Sequence, residues 1–316
     1  MDVAVSLVLA IFGVIAVGFI AARTGFLARA AIDGVDRYVF TFALPALMFR
    51  SLANTELPAT LPWGLWLCYY PATLLVWAVG STIARLVLRR SFGESAVIGF
   101  GGAQANTVLL GIPIILTGLG DKAGPPLFFI LAFHGIIVIS LAIFLLEMTK
   151  SDDDGERRTA SAAIRMGLRG TARNPIILGL FGGILYGQLG VAIPGPIDHM
   201  LQLLGRSAIP CALFVLGALL NRYHLGHNLG TASLTSVFKL LIHPALVWLL
   251  ATFVFTLPPL WTAVATILAS MPTGVYSSIL ANSYQTAPGE ASSAVVLSTA
   301  LSVFTITLLL SWFLAQ

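Results

Sequence analysis

The chain has 316 residues, 58% of them hydrophobic and only 9% charged, with mean hydropathy +0.94 and a formal net charge of +4. A soluble domain carries about 25% charged residues, so the composition excludes a water-soluble globular protein and leaves no room for a separate soluble domain. The basic residues are scattered between apolar segments, which points to cytoplasmic loops and away from nucleic acid.

A spanning helix needs about 20 largely apolar residues. Such segments fall at 4–22, 35–52, 63–88, 94–118, 125–148, 173–191, 197–220, 231–256, 260–284 and 290–314, which predicts an all-α polytopic membrane protein of ten transmembrane helices. Residues 1–22 lack a basic n-region and run into Arg23, so a cleaved signal peptide is not expected. Cys68 and Cys211 lie inside apolar segments and read as packing residues. Every Lys and Arg other than Arg50, Lys122, Arg206 and Lys239 falls in the first, third, fifth, seventh or ninth join. The positive-inside rule makes those joins cytoplasmic and places both termini outside, as a multi-pass protein of the cell (inner) membrane. The longest join, 149–172, contains SDDDGERR and reads as a solvated linker with a short amphipathic helix at 160–170. It separates a first five-helix repeat at 1–148 from a second at 173–316.

The two halves resemble each other. ALPALMF at 43–49 lines up with AIPCALF at 208–214, and the same offset of 165 pairs Gly18 with Gly183, Gly25 with Gly190 and Gly124 with Gly289. Pro71-Ala72 resembles Pro244-Ala245 at offset 173, and TVLLGIP at 107–113 resembles TILASMP at 266–272 at offset 159. Five spans per half is an odd number, so the second half runs inverted, a 5+5 inverted repeat. Short Gly/Pro-interrupted segments at matching positions of such repeats point to a transporter binding site.

The matching segments are spans four and nine. Proline lacks an N–H and clashes with the carbonyl four residues earlier, and unwound backbone survives in a membrane only when buried in protein or lining a cavity. Two crossed, broken helices centred on Pro113 and Pro272, with Gly111 and Gly274 beside them, are therefore expected. Their half-helix N-termini would face each other at the midplane and favour an anion. The carbonyls of Leu109 and Leu268 would be freed. Gln104, Asn106, Thr107, Thr273, Tyr276, Ser277, Ser278 and Asn282 are the polar set. The alternative is that both prolines merely kink packed helices.

Isolated ionisable groups inside spans are functional candidates. His134 could donate to a substrate or titrate near neutral pH, or be a neutral imidazole bonded to a carbonyl. Lys239 could hold a substrate charge, bridge, or snorkel to the cytoplasmic edge. Arg50 and Glu147 read as solvated anchors at span ends; Asp2, Asp121 and Glu290 read as surface. Neither broken helix contains an acid. There is no HExxH, no CxxC and no G-x-x-x-x-G-K-[ST], so no metal, no cofactor, no enzyme and no direct ATP drive are expected.

NTVLLGIP at 106–113 resembles the NTLVMGIP-type crossover of the auxin efflux carrier family, which includes plant PIN-FORMED carriers and bacterial transporters. ALPALMF, RNP at 173–175, ALFVLG at 212–217, Lys239 with HPAL at 243–246, and MPTG…LANSY at 271–284 also fit. The resemblance covers essentially the whole chain. It implies a homodimer in which spans one, two, six and seven form a scaffold while spans three to five and eight to ten move as a transport domain, in elevator fashion. It assigns Asn106 to the crossover amide and Pro113 and Pro272 to the break prolines. His134 stands where the plant carriers place Gln. The short linker resembles the bacterial branch, linked with small carboxylates such as malonate or malate. Together these readings predict a secondary carrier exporting small organic anions (malonate, malate or auxin-like acids), with membrane lipid around it. Substrate would be held at Gln104, Asn106, Thr107, Gly111, Pro113, His134, Lys239, Pro272, Thr273, Gly274 and Asn282. A sodium-coupled symporter or channel of related architecture is the alternative.

Overall fold

A computed structural model describes residues 2–55, 61–148, 174–226 and 228–316. The linker, its expected amphipathic helix and Arg173 of the RNP motif lie outside the described residues. Twelve helices are described: α1 (Asp2–Arg23), α2 (29–53), α3 (Trp63–Leu86), α4 (Phe92–Ala103), α5 (Thr107–Leu119), α6 (Asp121–Glu147), α7 (Pro175–Gln188), α8 (Gly195–Leu220), α9 (Leu229–Val254), α10 (Pro259–Ala269), α11 (Val275–Ser283) and α12 (Pro288–Leu314). Six of them, α1, α3, α6, α8, α9 and α12, are long and apolar enough to cross a membrane. Among the described residues there is no β-strand, only one isolated antiparallel bridge between Ala105 and Thr273.

The predicted spans at 94–118 and 260–284 are each split in two. The first interruption, however, lies at Gln104–Asn106 and not at Pro113, which is the second residue of the α-helical stretch Ile112–Leu119. The cause is a π turn at Thr107–Gly111. Widening the helix there moves the carbonyl with which the proline ring would clash, so the chain stays helical. The same solution recurs: Pro45 follows a π turn at Val39–Ala43, and Pro244 follows one at Phe238–Ile242. Pro272, by contrast, lies inside the second interruption, between Ala269 and Val275. The match at offset 159 is thereby corrected. Residues 107–113 follow the first break, whereas 266–272 run into the second, so they are not equivalent positions.

Two of the glycine matches at offset 165 share their local setting, whereas Pro45 follows a π turn and Pro210 lies inside the α-helical run of α8. Gly25 and Gly190 both take positive φ, +74° and +64°, just past the ends of α1 and α7. Helix α1 packs on α8 and α7 on the second half of α2. A Cβ on Gly18 would overlap the carbonyl oxygen of Phe214, and one on Gly183 would overlap that of Phe49. Phe49 and Phe214 are themselves 165 apart, so the two close approaches are the same contact made twice. The buried core runs from these helices through α5, α6 and α10, while a second cluster around Trp77, Phe100, Val138 and Leu280 joins α3, α4, α6 and α11.

Charged groups at the helix ends are tied down more than expected. Arg50 holds Asp198 of α8 through two bonds of 2.7 and 2.9 Å. Glu290 is not a free surface residue: its side chain is only 16% exposed and pairs at 3.0 Å with Arg90, which also reaches Glu94 at 3.3 Å. Glu147 is half-buried and accepts a 2.6 Å bond from the Tyr284 hydroxyl.

Candidate functional site

The two interruptions meet. The N–H of Asn106 donates to the carbonyl of Pro272 at 2.8 Å, and the N–H of Gly274 donates to that of Gln104 at 2.9 Å. The paired segments run antiparallel. These two bonds replace helical ones that the breaks remove, which is how backbone can be unwound in an apolar interior. On the α4 side Gly101 and Gly102 occupy the last turn before the break, each costing a helix about 1 kcal/mol relative to alanine. Gly274 faces the carbonyl of Ala105, where a Cβ would come within 3.0 Å. Thr273 is held on both sides: its N–H donates to the Ser298 hydroxyl at 3.0 Å and its own hydroxyl to the carbonyl of Gly101 at 2.9 Å.

Two helices begin at this point. Neither Asn106, ahead of α5, nor Gly274, ahead of α11, caps its helix with a side chain. Each start carries about half a positive charge and unsatisfied N–H groups. The carbonyl expected free at Leu268 accepts from Met271 N–H at 3.3 Å; the carbonyls turned to side-chain donors are those of Gly101 and Ala269 instead.

Gln104 and His134 come together, with Nε2 2.7 Å from Oε1. The carboxamide oxygen can only accept, so Nε2 of the imidazole carries the hydrogen. Lys239 does not snorkel. It is fully buried in α9, and its Nζ donates to the carbonyl of Ala269, the last residue of α10, and to His243 Nδ1 at 2.9 Å. His243 Nε2 lies 3.0 Å from the Thr73 hydroxyl, which donates its own hydrogen to the carbonyl of Tyr69 at 2.8 Å. His243 therefore donates through Nε2 and accepts from Lys239 through Nδ1. The ring of Tyr69 stands between the two imidazoles, 5.8 Å from His134 and 5.7 Å from His243.

Gln104, Asn106, Thr107, His134, Lys239 and Thr273 are all buried around the crossover. Gly111 packs its bare face on Leu268 of α10. Pro113 lies beyond, in the helical stretch after the π turn. Asn282 is not brought in: it follows Gly274 by eight residues, about 12 Å along α11, is exposed, and bonds back to the Ser278 carbonyl at 2.8 Å. Tyr276 is also exposed, at 39%. Sequence reasoning missed His243, Thr73 and Tyr69 as partners. The i,i+4 spacing of Lys239 and His243 was a usable signal, since it stacks them on one helix face.

Several buried polar atoms here have no partner: Asn106 Nδ2, His134 Nδ1, Tyr69 Oη, Thr266 Oγ1 and Ser277 Oγ. Each such group costs about 1–3 kcal/mol unless a ligand or water meets it. Among the described residues Lys239 is buried while no Asp or Glu is, and no group of three or more His, Cys, Asp or Glu could hold a metal. Away from the crossover, a cleft of about 460 Å³ opens between α2 and α8 on one side and Leu116 and Asp121 on the other.

The family model for "Membrane transport protein" matches residues 3–310. The chain belongs to this family, that of the auxin efflux carriers. It is 28% identical over 305 residues to a Rhizobium meliloti protein called "Putative malonate transporter", covering 96% of this chain and 94% of that one. It is 25% identical to an "Uncharacterized transporter" of Methanothermobacter thermautotrophicus, covering 95% of each. It is 24% identical to "Auxin efflux carrier component 8" of Arabidopsis thaliana, covering 83% of this chain and 84% of that one. Family membership makes the chain a multi-pass membrane transporter and not an enzyme.

Proposed function

We propose that this transporter is a secondary carrier that exports small organic anions, with malonate, malate and auxin-like acids as the candidate class. One observation carries the reading. The Ala105–Thr273 pairing sets two uncapped helix starts and the unpartnered Asn106 amide side by side, with a buried lysine nearby and no buried acid among the described residues. The two helix starts favour a carboxylate, while carbonyls at the ends of α4 and α10 are taken up by donors within the protein, Thr273 on Gly101 and Lys239 on Ala269. The names of two relatives, one for malonate and one for auxin, belong to the same chemical class.

The carrier would have ten spans in two inverted five-helix repeats, with both termini outside. Support comes from the doubled Gly–Phe contact and from the antiparallel course of the two breaks. Helices α1, α2, α7 and α8, which pack on one another, would be the scaffold of a dimer. The remaining helices would move past it as a body, along the seam marked by the 460 Å³ cleft. Displacing the crossover relative to the scaffold exposes one site to each side in turn. Substrate would be bound by backbone N–H groups of α5 and α11 and by Asn106, Thr107 and Thr273. His134 and Lys239 would fix the surrounding geometry through Gln104 and Ala269.

The test is flux in proteoliposomes holding radiolabelled malonate, malate or indole-3-acetate. Saturable exchange of at least one is expected; none for any carboxylate defeats the reading. Sodium-dependent uptake, or unitary currents in a planar bilayer, would favour a symporter or a channel.

A further inference from the structure

A second cleft, of about 500 Å³, lies at the opposite end of α4 from the crossover, between α3, the start of α4, and α6. Its lining is graded along α3. Arg85 stands at one end beside the apolar Leu86 and Phe92, the hydroxyl residues Thr82 and Ser95 come next, and Leu74 and Trp77 form the other end, with Leu145 of α6. Arg85 to Leu74 is 11 residues, about 16 Å along the helix. That is roughly half the 30 Å hydrocarbon thickness of a bilayer, so the cleft is one leaflet deep.

Two further observations point to an occupant. Ser95 is 3% exposed and its hydroxyl has no partner, so the wall of the cleft carries an unsatisfied polar group. Arg85 and Arg89 are both exposed and neither has an acidic partner among the described residues; Arg85 bonds only to the main-chain oxygen of Arg90, at 2.7 Å. Arg90, beside them, already has its charge matched by Glu94 and Glu290. Arg85 at the rim, with Arg89 four residues further along the chain, over hydroxyls over apolar side chains repeats, in order, the phosphate, ester and acyl regions of a phospholipid.

We propose that this cleft is a binding site for one anionic phospholipid, its phosphate on Arg85 and Arg89, its ester region against Thr82 and Ser95, and an acyl chain along Leu74, Trp77 and Leu145. The site would couple the body that carries the crossover to the charge of one leaflet. Zwitterionic lipid presents the same acyl chain without net charge, so the arginines discriminate between the two. Near a membrane surface each basic residue contributes about a factor of five for anionic lipid, or roughly thirty-fold for both.

Native mass spectrometry of the purified full chain, titrated with phosphatidylglycerol or with phosphatidylcholine of the same acyl chains, tests this without reference to transport. Phosphatidylglycerol should be retained preferentially. Changing both Arg85→Gln and Arg89→Gln should reduce that retention at least tenfold while leaving phosphatidylcholine unchanged. Ala78→Trp, an exposed position in the wall, should fill the cleft and lower retention with both arginines intact. Equal retention of the two lipids, or phosphatidylglycerol binding unmoved by either variant, overturns the proposal.

Discussion

Nε2 of His134 lies 2.7 Å from Oε1 of Gln104, the residue that ends α4 and opens the first break. The bond fixes the side chain of a residue whose own carbonyl receives Gly274 from the other half. His134→Ala should leave that buried oxygen unpaired, at a cost of about 1–3 kcal/mol, and weaken substrate binding by roughly tenfold. His134→Gln retains a donor and should restore most of the loss. Thermal unfolding and ligand binding on both variants would check this; equal behaviour of Ala and Gln would show the bond to be idle.

Lys239 joins α9 to the end of α10 through the Ala269 carbonyl. Lys239→Met keeps most of the volume but removes the donors from a fully buried position. It should lower stability by about 1–3 kcal/mol, read as a drop in unfolding temperature in detergent. A residue that snorkelled to the surface would show almost no change.

The doubled helix contact predicts a matched pair of effects. Gly18→Ala and Gly183→Ala each push a methyl group into a carbonyl of the partner helix. Overpacking of this kind costs about 1–3 kcal/mol, and the two values should agree within about 0.5 kcal/mol if the halves are repeats. A clear cost for one and none for the other would break the equivalence.

The two prolines should separate. Pro272 lies in the second break, where alanine would be about 3 kcal/mol better inside a helix and would let α10 run on into α11. Pro272→Ala should therefore abolish most flux. Pro113 follows a π turn within continuous helix, so Pro113→Ala should retain at least half of it. Equal losses would restore Pro113 to the break.

How much of this was legible in the chain follows from what each signal measures. Composition alone specified a membrane protein, and the offset of 165 specified Gly18, Gly183, Phe49 and Phe214 as paired positions before any contact was known. The existence of two breaks followed from Gly and Pro in apolar segments. The position of the first did not, because the ring clash of Pro113 is removed by a π turn that leaves no residue signature, while Gln104–Asn106 contains no proline at all. What opens the chain there is its pairing with residues 272–274, a long-range bond invisible to local pattern. The same holds for Lys239, whose acceptor is 30 residues away. Asn282 is polar and near Pro272 in sequence, but eight residues of helix separate it from Gly274.

The central claim is that the crossover binds an anion through the Asn106 amide, and binding of radiolabelled malonate, malate and indole-3-acetate to wild type and Asn106→Ala tests it most directly. Nδ2 of Asn106 makes no bond within the protein, so removing it should leave folding intact. A hydrogen bond to a charged group is worth about 1.5–3 kcal/mol. The account predicts an unfolding temperature no lower than that of wild type, with affinity reduced about ten- to hundredfold for the acid that binds. Unchanged affinity in a normally folded variant would contradict it.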